Sequence, residues 1–261
     1  MVYLYAACTD RMRIFADARI KIARRRNEDE VGKNDIFRLS RHDGDLLGIG
    51  ANRYASINEV VISRAETTEK VVAVTIDDGP HDKATPHMLD ALRETGIKAT
   101  FFILGKSAEE YPDLVRQTIA DGHEIATHGY SHRNMARMSQ AECEEEWEKA
   151  ERILAELGAQ ARLFRPPGGA YGEALVKGAK ERGYHVILWD VDTRDWQVPS
   201  ADTIAERILA DVRAGSIILL HDGQYPIHSA DALRKVASRL KAEGYSFVTV
   251  SEMLGISGGA E

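Results

Sequence analysis

Two adjacent carboxylates, Asp77-Asp78, end the apolar, β-branched run Val71-Val72-Ala73-Val74-Thr75-Ile76 and are followed at once by Gly79-Pro80. Carboxylates delivered to the end of a buried strand are costly unless a cation meets them there. That cation is a metal ion, an arginine, or both. Farther on, His128-Gly129-Tyr130-Ser131-His132 spaces two imidazoles so that one helical turn brings them to the same face. Two histidines and a carboxylate, here His128, His132 and Asp78, suffice for an open divalent site that keeps a position for water or substrate. Such an ion polarises a carbonyl and acidifies water. Side chains alternate along an extended strand, so Asp77 and Asp78 are expected to diverge, one ligating the metal and the other serving as general base. Arg165 would hold that base as a carboxylate through a charge-assisted pair. The stiff turn Pro166-Pro167-Gly168-Gly169 beyond it lets backbone N–H groups approach a ligand.

A second group of residues fits the leaving-group side of the same chemistry. His221 ends the apolar run Ile217-Ile218-Leu219-Leu220. A carboxylate from Asp192-Thr193-Arg194-Asp195-Trp196 would raise its pKa and suit it to protonate a departing group. Gly168, Tyr171, Trp196 and Leu220 are the candidates for contact with substrate. Plainer readings stand beside these: Arg165 as a surface salt bridge, His221 as a hydrogen-bonded core histidine, Trp196 and Leu220 as packing. His42, His81, His87, His123, His185 and His228 read as structural or surface residues, with His81-Asp82 close enough to Pro80 to line a cleft rim. The acidic run Glu142–Glu148 reads as a solvated helix face.

Such residues need regular elements to position them. Apolar, β-rich runs occur at Val71–Ile76, Ala99–Leu104, Glu124–Thr127, Arg162–Phe164, His185–Val191, Ser216–Leu220 and Ser246–Val250. Amphipathic stretches lie between them at Thr85–Thr95, Ala108–Ala120, Gln140–Leu157, Glu173–Glu181, Ala201–Val212 and Ser229–Ala242. Gly96, Gly122, Gly158, Gly183, Gly215 and Gly244 follow them where helix C-caps belong. This alternation predicts a parallel α/β fold, barrel or doubly wound. In either form function gathers at the C-terminal ends of strands. Asp77-Asp78, His128, Arg165, Asp192 with Asp195, and His221-Asp222 all fall at such ends, which predicts one shared site.

The bulk properties narrow the class. The 261 residues fit one large α/β domain, or a smaller one behind an N-terminal extension. With 34 Lys and Arg against 41 Asp and Glu the net charge is −7, which argues against a nucleic-acid binder. The two cysteines, Cys8 and Cys143, exclude a disulfide framework and a cysteine-built zinc site. No run approaches the roughly 18 apolar residues of a transmembrane segment. Met1 to Cys8 lacks the basic and apolar regions of an export signal, so the expectation is cytoplasmic as written and extracytoplasmic if a signal was removed. The Arg-rich stretch from Arg11 to Arg26 reads as a solvated amphipathic helix, and Ile57 to Ile62 as a short strand.

Thr75-Ile76-Asp77-Asp78-Gly79-Pro80, His128-Gly129-Tyr130-Ser131-His132, Arg165-Pro166-Pro167-Gly168-Gly169, Asp192-Thr193-Arg194-Asp195-Trp196 and Leu220-His221 occur in the order that marks the polysaccharide deacetylase family. The chain therefore resembles that family, the NodB-homology domain or carbohydrate esterase family four, from about Val71 to Val250. The resemblance implies a distorted (β/α)7-type barrel with parallel strands at residues 70–255, an N-terminal extension at 1–69 and a tail at 256–261. It also implies removal of N-acetyl or O-acetyl groups from a glycan such as a chitooligosaccharide or peptidoglycan. One divalent ion is expected, zinc first, with cobalt, nickel and manganese as alternatives.

By position, Asp77 resembles the base, Asp78, His128 and His132 the metal ligands, and Arg165 the residue that orients the base. His221 resembles the acid and Leu220 part of the acetyl-methyl pocket, with Asp195 the first choice and Asp192 the second for the partner of His221. Three positions depart from the family pattern. Ile76 stands for the commoner Phe, Gly129 for a Ser or Thr that helps hold the metal loop, and Gly168 for an aromatic. The alternatives are a hydrolase of small amides or cyclic imides on the same scaffold, and a non-catalytic glycan-binding module.

Overall fold

Residues 61–256 are those described by the computed structural model, and all pairings between their strands are parallel. The chain runs β1 (Val61–Ile62), β2 (Val71–Asp77), α1 (Ala84–Thr95), β3 (Thr100–Ile103), α2 (Gly105–Glu110), α3 (Pro112–Ala120) and β4 (Glu124–Thr127). It continues through α4 (Gln140–Glu156), β5 (Leu163–Phe164), α5 (Glu173–Glu181), β6 (His185–Ile187), β7 (Val191–Asp192) and α6 (Ala201–Asp211). β8 (Ile217–His221), α7 (Ser229–Ala242), β9 (Ser246–Val248) and α8 (Val250–Leu254) complete it. The strand order is β1-β6-β5-β4-β3-β2-β8-β7, with β9 on the lower half of β2.

The barrel is distorted at one identifiable place. The run predicted as a single strand at His185–Val191 divides into β6 and β7. β6 pairs with β5, while β7 pairs with β8 on the other flank of the sheet. One bent segment thus links the two flanks, and the sheet curls around the space between them.

Period-two alternation sorts the strand side chains into two layers. Val72, Val74 and Ile76 of β2, Phe101 and Ile103 of β3, and Ile218 and Leu220 of β8 face outward and pack with the apolar stripes of α1, α6 and α7. Ala73, Phe102, Ala126, Leu163 and Ile217 face inward, where α8 adds Val250, Met253 and Leu254. Full burial of each such aliphatic or aromatic side chain contributes about 1.5–3 kcal/mol, which anchors β2, β3 and β8 on both faces.

Three expectations are corrected by local chemistry. The helix predicted at Ala108–Ala120 is two helices, because Pro112 lacks an N–H and turns its predecessor Tyr111 away from helical geometry, to φ −128° and ψ 59°. The strand predicted through Val250 stops at Val248, since Thr249 caps α8 in a reciprocal capping box with Glu252. Gly215 lies beyond α6 in the turn to β8, against the Ala65 carbonyl, and caps no helix.

The boundary drawn at residue 70 falls inside the fold: β1 pairs with β6, and Ala65 N–H donates to the Gly215 carbonyl at 2.9 Å. The expectations for Met1–Cys8 and Arg11–Arg26 lie outside the described residues, as does the tail beyond Ile256. Among the described residues, no helix is long and apolar enough to cross a membrane.

Candidate functional site

β2 and β8 lie side by side with Asp77 and His221 in register, so both side chains enter the barrel at its C-terminal mouth. The same parity brings in Phe102 from β3, His128 from beyond β4 and Arg165 from beyond β5. Arg165 is fully buried, which rules out the surface salt bridge. Its Nη1 donates to Asp77 Oδ1 at 2.5 Å and to Thr75 Oγ1 at 2.9 Å. Nε and Nη2 donate to the carbonyls of Ile187 and Leu188, and the guanidinium lies 4.0 Å from the centre of the Phe102 ring. Burial lowers its pKa while Asp77 opposes the shift, and the pairing suits both groups.

Asp78 does not diverge from Asp77 as strand alternation predicts. The strand ends at Asp77, and Asp78 takes φ +76°, the left-handed region, which swings its carboxylate back to the mouth. Asp77 Oδ2 and Asp78 Oδ1 therefore lie 3.8 and 3.5 Å from the same atom, His128 Nε2. His132, itself at φ +60°, brings its Nε2 to 3.2 Å from Asp78 Oδ1. Ligand atoms of Asp78, His128 and His132 all lie within 4.8 Å of one another.

This donor set fits a divalent cation. His128 Nδ1 is 2.7 Å from the Arg165 carbonyl, which can only accept, so Nδ1 carries the proton and Nε2 presents a lone pair to the cluster. Burial lowers the His128 pKa, which keeps the ring neutral as a ligand must be. Asp78 Oδ1 is buried without a hydrogen-bond partner, an unsatisfied anion that a cation would complete. Burial alone would raise the Asp78 pKa, but the nearby imidazoles of His132, His128 and His221 hold it well below the usual carboxylate range.

Across the mouth, Asp195 settles the partner of His221. Its Oδ1 is 2.7 Å from His221 Nδ1, and its Oδ2 accepts from the His221 backbone N–H at 2.7 Å and from Ser229 Oγ. Burial disfavours the imidazolium, yet Asp195, then Asp78 and Asp77, raise the His221 pKa to about 10. Asp192 is not that partner: at the end of β7 its side chain is partly exposed and accepts from the Arg194 N–H at 3.1 Å.

The substrate candidates separate in the same way. Leu220 faces the helices and belongs to the outer core; Leu219, 3% exposed, shares the inward face with His221 and is the residue that sequence reasoning missed. Period two, applied from His221 backward, is the signal that finds it. Tyr171 packs against the Met135, Trp147 and Phe164 cluster. Gly168 stands exposed at φ +64° with open space where a Cβ would be. Trp196 is half-buried, and its carbonyl accepts from Gln224 Nε2 at 2.9 Å, joining its loop to the one that follows His221. Among the described residues, Val198 and Tyr225 on these two loops are the large apolar side chains left exposed, and Tyr225 stacks on His87.

Asp222, read from the sequence as one of the strand-end residues but given no role there, also belongs to the site. Its N–H donates to the Asp77 carbonyl at 3.1 Å, and its buried carboxylate accepts from Thr85 Oγ1 at 2.6 Å. Burial, with the negative charge of Asp78 and Asp77, pushes its pKa up to about 7. Gly79 is required beside it, because a Cβ there would meet Asp222 Oδ1 at 2.1 Å.

The family model described as polysaccharide deacetylase matches residues 64–187. A peptidoglycan-N-acetylglucosamine deacetylase of Bacillus cereus is 39% identical over 189 residues, 71% of this chain and 89% of the relative. A chitooligosaccharide deacetylase of Azorhizobium caulinodans is 35% identical, across 70% of this chain and 94% of its own length. The crystal structure of a peptidoglycan N-acetylglucosamine deacetylase superposes with a TM-score of 0.73 at 38% identity, covering 76% of this chain and 94% of the other.

Proposed function

This chain belongs to the polysaccharide deacetylase family, and from that membership we propose that it hydrolyses N-acetyl groups of a glycan related to peptidoglycan or chitooligosaccharides. The observation that carries the reading is the approach of both Asp77 Oδ2 and Asp78 Oδ1 to His128 Nε2, which sets a proton acceptor beside a ligand cluster.

Asp78, His128 and His132 are the residues that would hold a divalent ion, zinc first, since two imidazoles with one carboxylate are a donor set that zinc accepts. When bound, the ion supplies Lewis acidity to the acetyl carbonyl and to the developing negative charge. Asp77 keeps Oδ2 free for the proton of the attacking water, because Arg165 occupies Oδ1 and fixes the orientation of the carboxylate. His221, protonated through Asp195, presents Nε2 and delivers a proton to the departing sugar amine. Leu219 gives the acetyl methyl an apolar wall, and Trp196 with Tyr225 offers faces for sugar rings.

Acetate release from N-acetylated chitooligosaccharides and peptidoglycan tests the reading. Wild-type protein releases acetate and Asp77→Asn does not; equal release by the two proteins sinks the proposal.

A further inference from the structure

Loop 128–132 carries two of the three metal-ligand candidates, and its own sequence gives little to hold it. Gly129 offers no hydroxyl and sits at φ +79°. Its Gly129 and Tyr130 carbonyls accept from the Gly105 and Lys106 N–H groups at 2.9 and 3.0 Å, and its Tyr130 and Ser131 N–H groups are held by a further element. Glu146, on α4, belongs to the acidic run that reads as solvated charge, yet it is only 7% exposed. Its Oε2 accepts the backbone N–H groups of Tyr130 at 3.0 Å and Ser131 at 2.8 Å, and its Oε1 accepts Ser131 Oγ at 2.6 Å. Two successive N–H groups turned to one oxygen form an anion-binding concavity. Oε2 also lies 3.6 Å from where a Gly129 Cβ would be, so the carboxylate closes on the side of the loop that glycine leaves bare.

We propose that Glu146 is a positioning residue for the metal site: its carboxylate clamps the 128–132 loop so that His128 and His132 keep their Nε2 atoms turned to Asp78. This rests on the metal-binding reading above. Three donors on one carboxylate fix the loop at both ends of the Tyr130–Ser131 peptide, the stretch between the two histidines. Without them, His132 loses the constraint that sets its distance from Asp78. Partners behind a ligand shell set metal affinity in this way, and their removal commonly weakens binding about 10–100-fold.

The test is zinc affinity of metal-stripped full-length protein, measured by competition with a chromophoric chelator, with cobalt absorption as the report on ligand geometry. Thermal unfolding of the metal-free forms runs alongside. Glu146→Ala is expected to raise the zinc dissociation constant about 10–100-fold and to alter the cobalt spectrum while the protein stays folded. Glu146→Gln, which keeps an acceptor for the two N–H groups, is expected to recover most of the affinity. Glu145→Ala, which removes an exposed charge from the same turn, should leave it unchanged.

Wild-type affinity in folded Glu146→Ala overturns the proposal, and so does an equal loss in Glu145→Ala, which would make the effect one of net charge. Should Glu146→Ala not fold, Ser131→Ala removes the hydroxyl arm alone; it must weaken zinc binding in the same direction, and unchanged affinity there overturns the proposal. Failure of the wild-type protein to bind zinc instead removes the metal reading itself, and this inference with it.

Discussion

Arg165 and Asp77 form a buried ion pair, with Nη1 and Oδ1 2.5 Å apart and both side chains shielded from water. A pair of this kind is weak evidence for stability when intact and costly to break, because one buried charge is left alone. Arg165→Ala is expected to destabilise the fold by about 3–5 kcal/mol, measured by denaturant unfolding. Arg165→Lys should recover little, since one ammonium cannot serve Asp77, Thr75 and two carbonyls in their present directions. A loss below about 1 kcal/mol in the alanine variant, the range of exposed pairs, would contradict a buried role.

Asp77→Asn keeps the shape of the base and removes its ability to take a proton. The rate of acetate release should fall about 10²–10⁴-fold, the usual worth of a positioned acid or base. Bound zinc should be unaffected, because Asp77 is not in the ligand set. Loss of zinc together with activity would reassign Asp77 from base to ligand.

The charge state of His221 sets a pH dependence. With its pKa raised to about 10, the proton it would deliver under the proposed mechanism is present at neutral pH and is lost as pH rises through that value. Asp195→Asn removes the largest raising influence, so the alkaline limb of kcat/KM should move to lower pH. The variant should therefore lose more activity at pH 9 than at pH 6, in a profile recorded with one acetylated oligosaccharide. A limb that stays in place would show that another group supplies the proton.

Leu219 and Leu220 offer a paired test of strand parity. Leu220→Ala opens a cavity in the outer core and is expected to cost about 2–5 kcal/mol of stability, with kcat per folded molecule preserved. Leu219→Ala widens the wall beside His221 and should weaken discrimination between acetyl and longer acyl substrates. Reversed results would mean that β8 presents its other face to the site.

Exhaustive chelation is expected to abolish acetate release, and added zinc to restore it. His128→Ala should resist that restoration, since Nε2 of His128 faces both carboxylates. Undiminished release after chelation would remove the ion from the account.

Much of the site could be read from sequence because apolar runs end abruptly in ionisable residues, and strand ends converge in a parallel barrel. Asp77, His128, Arg165 and His221 were visible on that ground alone. What escaped depends on torsion angles and on partners distant in the chain. Nothing in the residue type of Asp78 announces φ +76°, yet that angle decides whether two carboxylates diverge or meet. The choice of Asp195 over Asp192 turns on the path of the chain beyond β7, which carries Asp195 to the backbone and ring of His221, and a two-residue strand gives no periodicity from which to read that path. Glu146 looked like its exposed neighbours until its loop was seen. Other misses had signals in plain sight: Pro112 in the middle of a supposed helix, Thr249 three residues before Glu252, and the parity that separates Leu219 from Leu220.

Two of the three ligand candidates, Asp78 and His132, sit in backbone geometry that an L-residue with a side chain adopts at a cost of roughly 1–2 kcal/mol each. Glycine would relax both places, and would also erase both ligands. Selection for a sturdier empty scaffold and selection for a working centre therefore pull these positions in opposite directions. A thermostabilised derivative obtained without regard to activity would be expected to surrender Asp78 and His132 early, making their persistence a record of use.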